Sequence, residues 1–266
     1  MYSKFQLNLN DTDLLNIYYN YNNNQKNNNQ FLKDIKQYIN NVKEIDVEKI
    51  INMAFPNVTS QIFLSYSHNN NKYAISLVQY FKKVFDLDVF VDCLFWESCD
   101  TILKEIDNKY CLFSDKKTYD YNKRNLSTAH MHMILYSAIN KIIDSTECFM
   151  LLKTDQSIDF NIQNNIEKEK TNSPWIYSEI ITANSIRVKE PDRGLKKIQV
   201  DASATTETRN FHADSLQEIF SYKIDTSKFI NLNMSDLKCW KNKINNYNSQ
   251  LDTLYEMKGL LTKCKN

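Results

Sequence analysis

Glycine and proline are almost missing from this chain: 2 and 3 residues among 266. A backbone so poor in glycine holds no P-loop and no G-x-G-x-x-G dinucleotide fingerprint, since both need residues without a Cβ where the chain passes close to phosphate. There is no C-x-x-C spacing among the six cysteines. They read as reduced thiols in a cytosol, not as a disulfide framework. No stretch approaches the roughly 18 apolar residues of a membrane-spanning helix. The opening, Met1-Tyr2-Ser3-Lys4-Phe5-Gln6, lacks the apolar segment of a signal peptide. Charge of one sign is missing too: the net charge is +1, which points to neither nucleic acid nor a membrane surface as partner. The expected location is cytoplasmic.

What is present is enough for a sizeable core: 42% apolar and 12% aromatic residues. Asparagine is abundant alongside Lys, Ile and Tyr, a pattern better explained by genome base composition than by a prion-like role.

Residues 1–57 read as a helical extension without a strand pattern. Phe31, Ile35, Tyr38, Ile39 and Val42 recur at helical spacing, and the asparagine cluster from Tyr21 to Asn29 reads as a loop. Residues 58–266 read as the main domain, in which strand and helix signals alternate. Ile62–Tyr66, Asp88–Asp92 and Cys148–Leu152 are short apolar runs, with weaker strands at Lys197–Val200 and Phe229–Leu232. Between them lie helical stripes through Ala74, Leu77, Val78 and Phe81, through Met131, Ile134, Leu135, Ala138 and Ile142, and over Trp175–Val188. Residues 235–260 close the chain as a helix. Strands alternating with helices predict an α/β fold: a five-stranded parallel, flavodoxin-like sheet covered by helices on both faces. Two segments exceed a minimal domain of this kind. Residues 107–128 and the polar stretch 155–172 read as insertions at the loop ends where function concentrates.

Two sequence blocks carry chemistry. Ile62-Phe63-Leu64-Ser65-Tyr66-Ser67-His68 is a buried strand opening into small polar groups. Ser173-Pro174-Trp175-Ile176-Tyr177-Ser178-Glu179 begins a helix, with Ser173 as cap, Pro174 in the first turn, and Glu179 one turn after Trp175 on the same face. Such a pairing puts hydroxyls at a strand's carboxyl end near a helix carboxylate, where open α/β sheets bind ligands.

These blocks, with Val89-Phe90-Val91-Asp92, resemble a Toll/interleukin-1 receptor (TIR) domain over roughly residues 59–266. The resemblance implies that family's five-stranded parallel sheet. Many bacterial TIR domains cleave NAD with a glutamate four positions after a tryptophan, here Glu179 after Trp175. The two insertions and Arg124-Asn125-Leu126-Ser127-Thr128-Ala129-His130 look most like TIR proteins of Thoeris-type antiphage systems. The resemblance therefore implies NAD as substrate with no separate cofactor. It also implies self-association through the TIR domain, and a downstream effector reached by an ADP-ribose signal. One departure stands out: the family's loop after the second strand carries a glycine where this chain has Cys99, so the family's loop conformation does not carry over.

Breaking the nicotinamide–ribose bond releases an already cationic pyridinium, so the demand is for a carboxylate that stabilises an oxocarbenium-like centre and fixes the ribose hydroxyls. Glu179 is the catalytic candidate; outside the resemblance it would read as an ordinary surface glutamate. Ser65, Tyr66 and Ser67 could hold ribose or phosphate, or simply form a turn and cap the next helix. His68 and Asp92 are further candidate substrate contacts. Phe95 and Trp96 could stack on a base or pack on a neighbouring subunit. Trp175 could shelter the site or anchor its helix. His130 and His132 point apart on a helix, which argues against a metal site. Two other readings remain open: a non-catalytic TIR adaptor acting by protein contact, and a nucleoside 2-deoxyribosyltransferase-like enzyme.

Overall fold

The computed structural model describes residues 1–21, 30–54, 59–155, 157–163, 166–191, 220–244 and 249–260, without the side chains of 30, 31, 93–98, 159–163 and 166–168. The chain opens with strand β1 (Ser3–Asn8), followed by helices α1 (Asp11–Tyr21), α2 (Gln30–Asn41) and α3 (Val47–Ala54). Then come β2 (Ile62–Ser65), α4 (Asn71–Phe85), β3 (Val89–Phe90), the long helices α5 (Cys93–Tyr110) and α6 (Tyr121–Ser145), and β4 (Cys148–Lys153). A hairpin of β5 (Asp159–Gln163) and β6 (Ile166–Thr171) precedes α7 (Pro174–Ser185). The described chain ends with β7 (Tyr222–Lys223), β8 (Ile230–Asn233), α8 (Met234–Asn242) and α9 (Gln250–Met257).

Five strands form one sheet in the order β3-β2-β4-β1-β8, and every pairing within it is parallel. Helices cover both faces, because each face carries its own apolar core. On one, Phe5, Leu7, Ile62, Leu64 and Met150 meet α1, α4, α8 and α9 through Leu14, Phe81, Trp240 and Leu254. On the other, Phe63, Phe149 and Leu151 meet α2, α3, α5, α6 and α7 through Ile35, Ile50, Ile102, Leu135 and Ile180. Phe63, Phe90 and Phe149 stack across three adjacent strands at ring separations of 5.4 and 5.6 Å.

The sequence pattern predicts a strand-free helical region over 1–57; the structure instead threads Ser3–Asn8 between β4 and β8. The signal was there. Lys4-Phe5-Gln6-Leu7-Asn8 alternates with period two, which is strand spacing. Phe5 and Leu7 fill one core, while Lys4 and Gln6 point to the other face. Polar residues are tolerated there because they are partnered. Lys4 Nζ donates to Asn184 Oδ1 at 2.9 Å and lies over the Phe229 ring, and Gln6 Nε2 donates to Asn8 Oδ1. Residues 1–57 are therefore no appendage to a domain at 58–266. The expected strand at Lys197–Val200 lies outside the described residues, and β1 supplies the fifth strand.

Other expectations shift in detail. The closing helix is two helices, each with its own cap: Asn233 and Asp236 form a reciprocal capping box on α8, and Ser249 caps α9. The segment 155–172 is largely the antiparallel β5–β6 hairpin, extended by β7. The segment 107–128 is mostly helix, the end of α5 and the start of α6, joined by a tight turn in which Leu112 bridges Tyr119. Among the described residues no helix is long and apolar enough to cross a membrane.

Candidate functional site

At β2 the chain leaves the sheet toward α4, in the first core; beyond β4 it leads to α7, in the second. β2 and β4 are neighbours, so their carboxyl ends flank a crevice from which the chain departs to opposite faces. This is a switch point of the kind at which open α/β sheets bind ligands.

Ser65, the last residue of β2, projects toward α7. Its Oγ donates to Glu179 Oε2 at 2.5 Å. Glu179 sits there because α7 is started firmly: Ser173 Oγ accepts from the Ile176 N–H and Pro174 occupies the first turn. Ile176, Ile180 and Ala183 then pin the helix to the second core, leaving Glu179 pointing at the strand ends. Asp92, two residues past β3, is the second acid of the site. Ser65 is 1% exposed, Glu179 2% and Asp92 5%, so all three are shut off from bulk water.

Burial drives the Glu179 carboxyl well above the ordinary carboxylate range. The negative charge of Asp92 pushes it further up, and the Ser65 hydrogen bond pulls it partly back. Among the described residues no cation offsets these influences on Glu179. The arrangement is a buried acid that holds its proton at pH values where an exposed glutamate is ionised.

A polar bridge closes the same edge. Asn70, 5% exposed, donates through Nδ2 to Thr154 Oγ1 at 2.7 Å, joining the loop after β2 to the loop after β4. Below it, Ser157 Oγ both accepts from the Thr154 N–H and donates to its carbonyl. Lys153 at the end of β4 pairs with Glu169 at 2.7 Å, tying the β5–β6 hairpin to this rim. Sequence reasoning missed the Asn70–Thr154 bridge; nothing in either segment marks a partner 84 residues away.

Of the candidate residues, Ser65, Asp92 and Glu179 come together. Trp175 lies one turn before Glu179, half-buried, with its ring edge-on to His132 of α6 at 5.6 Å. Tyr66 does not join them. Side chains alternate along a strand, so its ring enters the opposite core, its hydroxyl toward Asn71. Ser67 is buried before a short 3-10 turn, while His68 and His130 are exposed. Residues 93–100, expected as a loop, are the first turns of α5. Phe95 and Trp96 therefore follow Asp92 on a helix, and their side chains lie outside the described set. Cys99 needs no glycine-like freedom there: it is a buried core residue of that helix. Among the described residues no three His, Cys, Asp or Glu side chains are grouped to hold a metal.

Together these features define an α/β protein with a buried acid and hydroxyl pair at the switch point of a parallel sheet. No protein-family model, no curated protein and no solved structure matches the chain.

Proposed function

We propose that this protein is a TIR-like enzyme that cleaves the nicotinamide–ribose bond of NAD, with Glu179 as the catalytic residue. The observation that carries the reading is the Ser65–Glu179 pair, buried at the crevice between β2 and β4. Glu179 ionised beside the ribose would stabilise the ribosyl cation by charge and accept hydrogen bonds from its hydroxyls. Ser65 would hold the carboxylate in one rotamer. NAD's pyridinium brings a positive charge into a site whose acid is otherwise driven neutral, so binding would itself favour loss of the Glu179 proton. Water then captures the ribosyl centre to give ADP-ribose, or an atom of the nucleotide or a second small molecule does so to give a cyclised or conjugated signal for an effector. The β5–β6 hairpin at the rim favours the second route, since excluding water lets another nucleophile compete. Self-association and a role in antiviral defence in the cytoplasm belong to the same reading.

The test is nicotinamide release from NAD by the purified chain, with and without lysate from phage-infected cells. Activity is expected in at least one condition, and Glu179→Gln is expected to reduce it by about 100-fold or more. Undiminished release by the variant would refute the mechanism.

A second reading has its own support. Asp92 beside Glu179 gives two buried acids, one holding a proton, and a neutral nucleobase leaving group needs such a proton donor. A nucleoside 2-deoxyribosyltransferase-like activity fits that pair. Turnover of a 2'-deoxynucleoside with no turnover of NAD would select it.

A further inference from the structure

The sheet face that carries Ser65 turns polar again beyond β4. Ser65, Leu151, Gln6 and Asn231 are register partners across β2, β4, β1 and β8, so they form one row on the face that also carries Phe63 and Phe149. One step further toward the carboxyl edge the row is Lys153, Asn8 and Asn233. A parallel sheet covered by helices is ordinarily apolar on such a face. Here Gln6, 5% exposed, donates to Asn8 Oδ1, and Asn8 Nδ2 donates to Asn231 Oδ1 at 2.8 Å. The amides end in a cleft of about 440 Å³ at the carboxyl ends of β1 and β8, walled by the first turns of α1 and α8. That volume falls in the range of small-molecule sites.

We infer that this cleft holds the adenosine half of the dinucleotide whose other ribose stands at Glu179. That a dinucleotide spans the two places rests on the NAD reading above; that the cleft takes a purine nucleotide rests on its own lining. Ser65 and Asn8 are two interstrand spacings apart, about 10 Å, and Asn233 is one spacing further. Two riboses joined through a diphosphate can bridge that span. The helix starts themselves are taken up by their own caps: Asn10 Oδ1 accepts from the Asp13 N–H, and Asn233 Oδ1 from the Asp236 N–H. Recognition therefore falls to side chains. With their oxygens engaged, Asn10 and Asn233 present amide N–H donors, which suit the ring nitrogens of a purine. The Asp13 carboxylate, held by the Asn10 N–H, can accept from a ribose diol. Met234, half-buried in the lining, offers a soft apolar contact to the face of a base. Lys238 suits the phosphate beside it. One carboxylate and one ammonium balance, so the lining favours the hydroxyls and base of a nucleotide over a bare anion.

The test is calorimetric titration of the full chain with AMP, and with inorganic phosphate as the control. The parent is expected to bind AMP and to bind phosphate far more weakly. Ser235→Trp puts a large ring into the cleft from an exposed position, so it should keep the parent's Tm while weakening AMP binding by about tenfold or more. Glu179→Gln should bind AMP as the parent does, because AMP alone lies at the cleft and not at the reacting end. Kinetics read the span. The parent's preference for NAD over nicotinamide mononucleotide, which lacks the adenosine half, is expected to shrink about tenfold in Ser235→Trp, mostly through KM for NAD. No AMP binding by the parent overturns the inference. So does AMP binding that Ser235→Trp leaves intact, or that Glu179→Gln abolishes. An undiminished preference for NAD in Ser235→Trp overturns the dinucleotide span. AMP bound at the cleft by a chain that never cleaves NAD would instead remove the NAD reading and leave the nucleotide site standing.

Discussion

Glu179 is held at a cost to stability, and this gives a prediction separate from activity. Burial and Asp92 raise its folded-state pKa above the ordinary value of 4.5. Between those two pKa values the folded chain binds more protons than the unfolded chain, so stability falls as pH rises through that window. Glu179→Gln removes the titration but keeps the shape and the hydrogen bond to Ser65. The variant is therefore expected to melt higher than the parent above about pH 5, by a margin that grows as pH rises to the raised pKa. Each kcal/mol relieved should appear as roughly 2–4 °C in Tm. Equal melting temperatures at every pH would mean that the carboxyl is not the buried acid described here. Ser65→Ala tests the same pair from the other side. Without the hydroxyl the Glu179 carboxyl rises further, so, for the proposed NAD cleavage, the acidic limb of the pH profile should move to higher pH. An unmoved limb with ordinary kcat would remove Ser65 from the mechanism.

Among the elements, the α5–α6 hairpin departs most from a minimal sheet-and-helix domain. α6 has 25 residues, about 37 Å of helix, whereas the six residues of β4 rise only about 20 Å. Since α6 leads into the start of β4, its first turns overshoot the carboxyl edge of the sheet, and residues 121–126 are accordingly exposed. The overshoot is locked by Asp107, 3% exposed, which accepts from Arg124 Nε at 3.0 Å and Ser127 Oγ at 2.5 Å. A capping aspartate, Asp120, accepts from the N–H groups of Asn122 and Lys123 and starts α6. Asp107→Ala should cost about 1–2 kcal/mol by stripping two donors of their partner, a loss measurable by urea denaturation. The proposed NAD turnover, at saturating substrate, should be kept, because Asp107 bonds to Arg124 and Ser127 and not to Ser65, Asp92 or Glu179. The helical periodicity of residues 131–142 is plain in the sequence. Where α6 begins is not, because Tyr121 to His130 has no apolar stripe against the core to reveal it.

At the scale of the whole molecule, the first strand decides what a truncation does. An N-terminal helical appendage could be removed and leave a folded domain. Here Phe5 is wholly buried, and β1 pairs over six residues with β4 and over four with β8. Deleting residues 1–57 is expected to leave no cooperative thermal transition. Phe5→Ala alone should lose about 3–5 kcal/mol. A truncated chain with a sharp melt would show that another segment can take the place of β1. The sequence by itself determined the elements whose signal is local: the apolar runs of β2, β3 and β4, the stripe of α4, the Ser173-Pro174 start of α7 and the spacing that puts Glu179 one turn beyond Trp175. Periodicity and capping act between residues a few positions apart, so they can be read in one dimension. Which strand fills the place between β4 and β8, that the stretch after Asp92 is helix, that Tyr66 faces away from the site, and that Ser65, Asp92 and Glu179 share one buried volume were decided only in the tertiary structure. Each depends on surfaces brought together across the chain, 114 residues apart in the case of Ser65 and Glu179. The charge state of the acid follows from that burial, not from its neighbours in sequence.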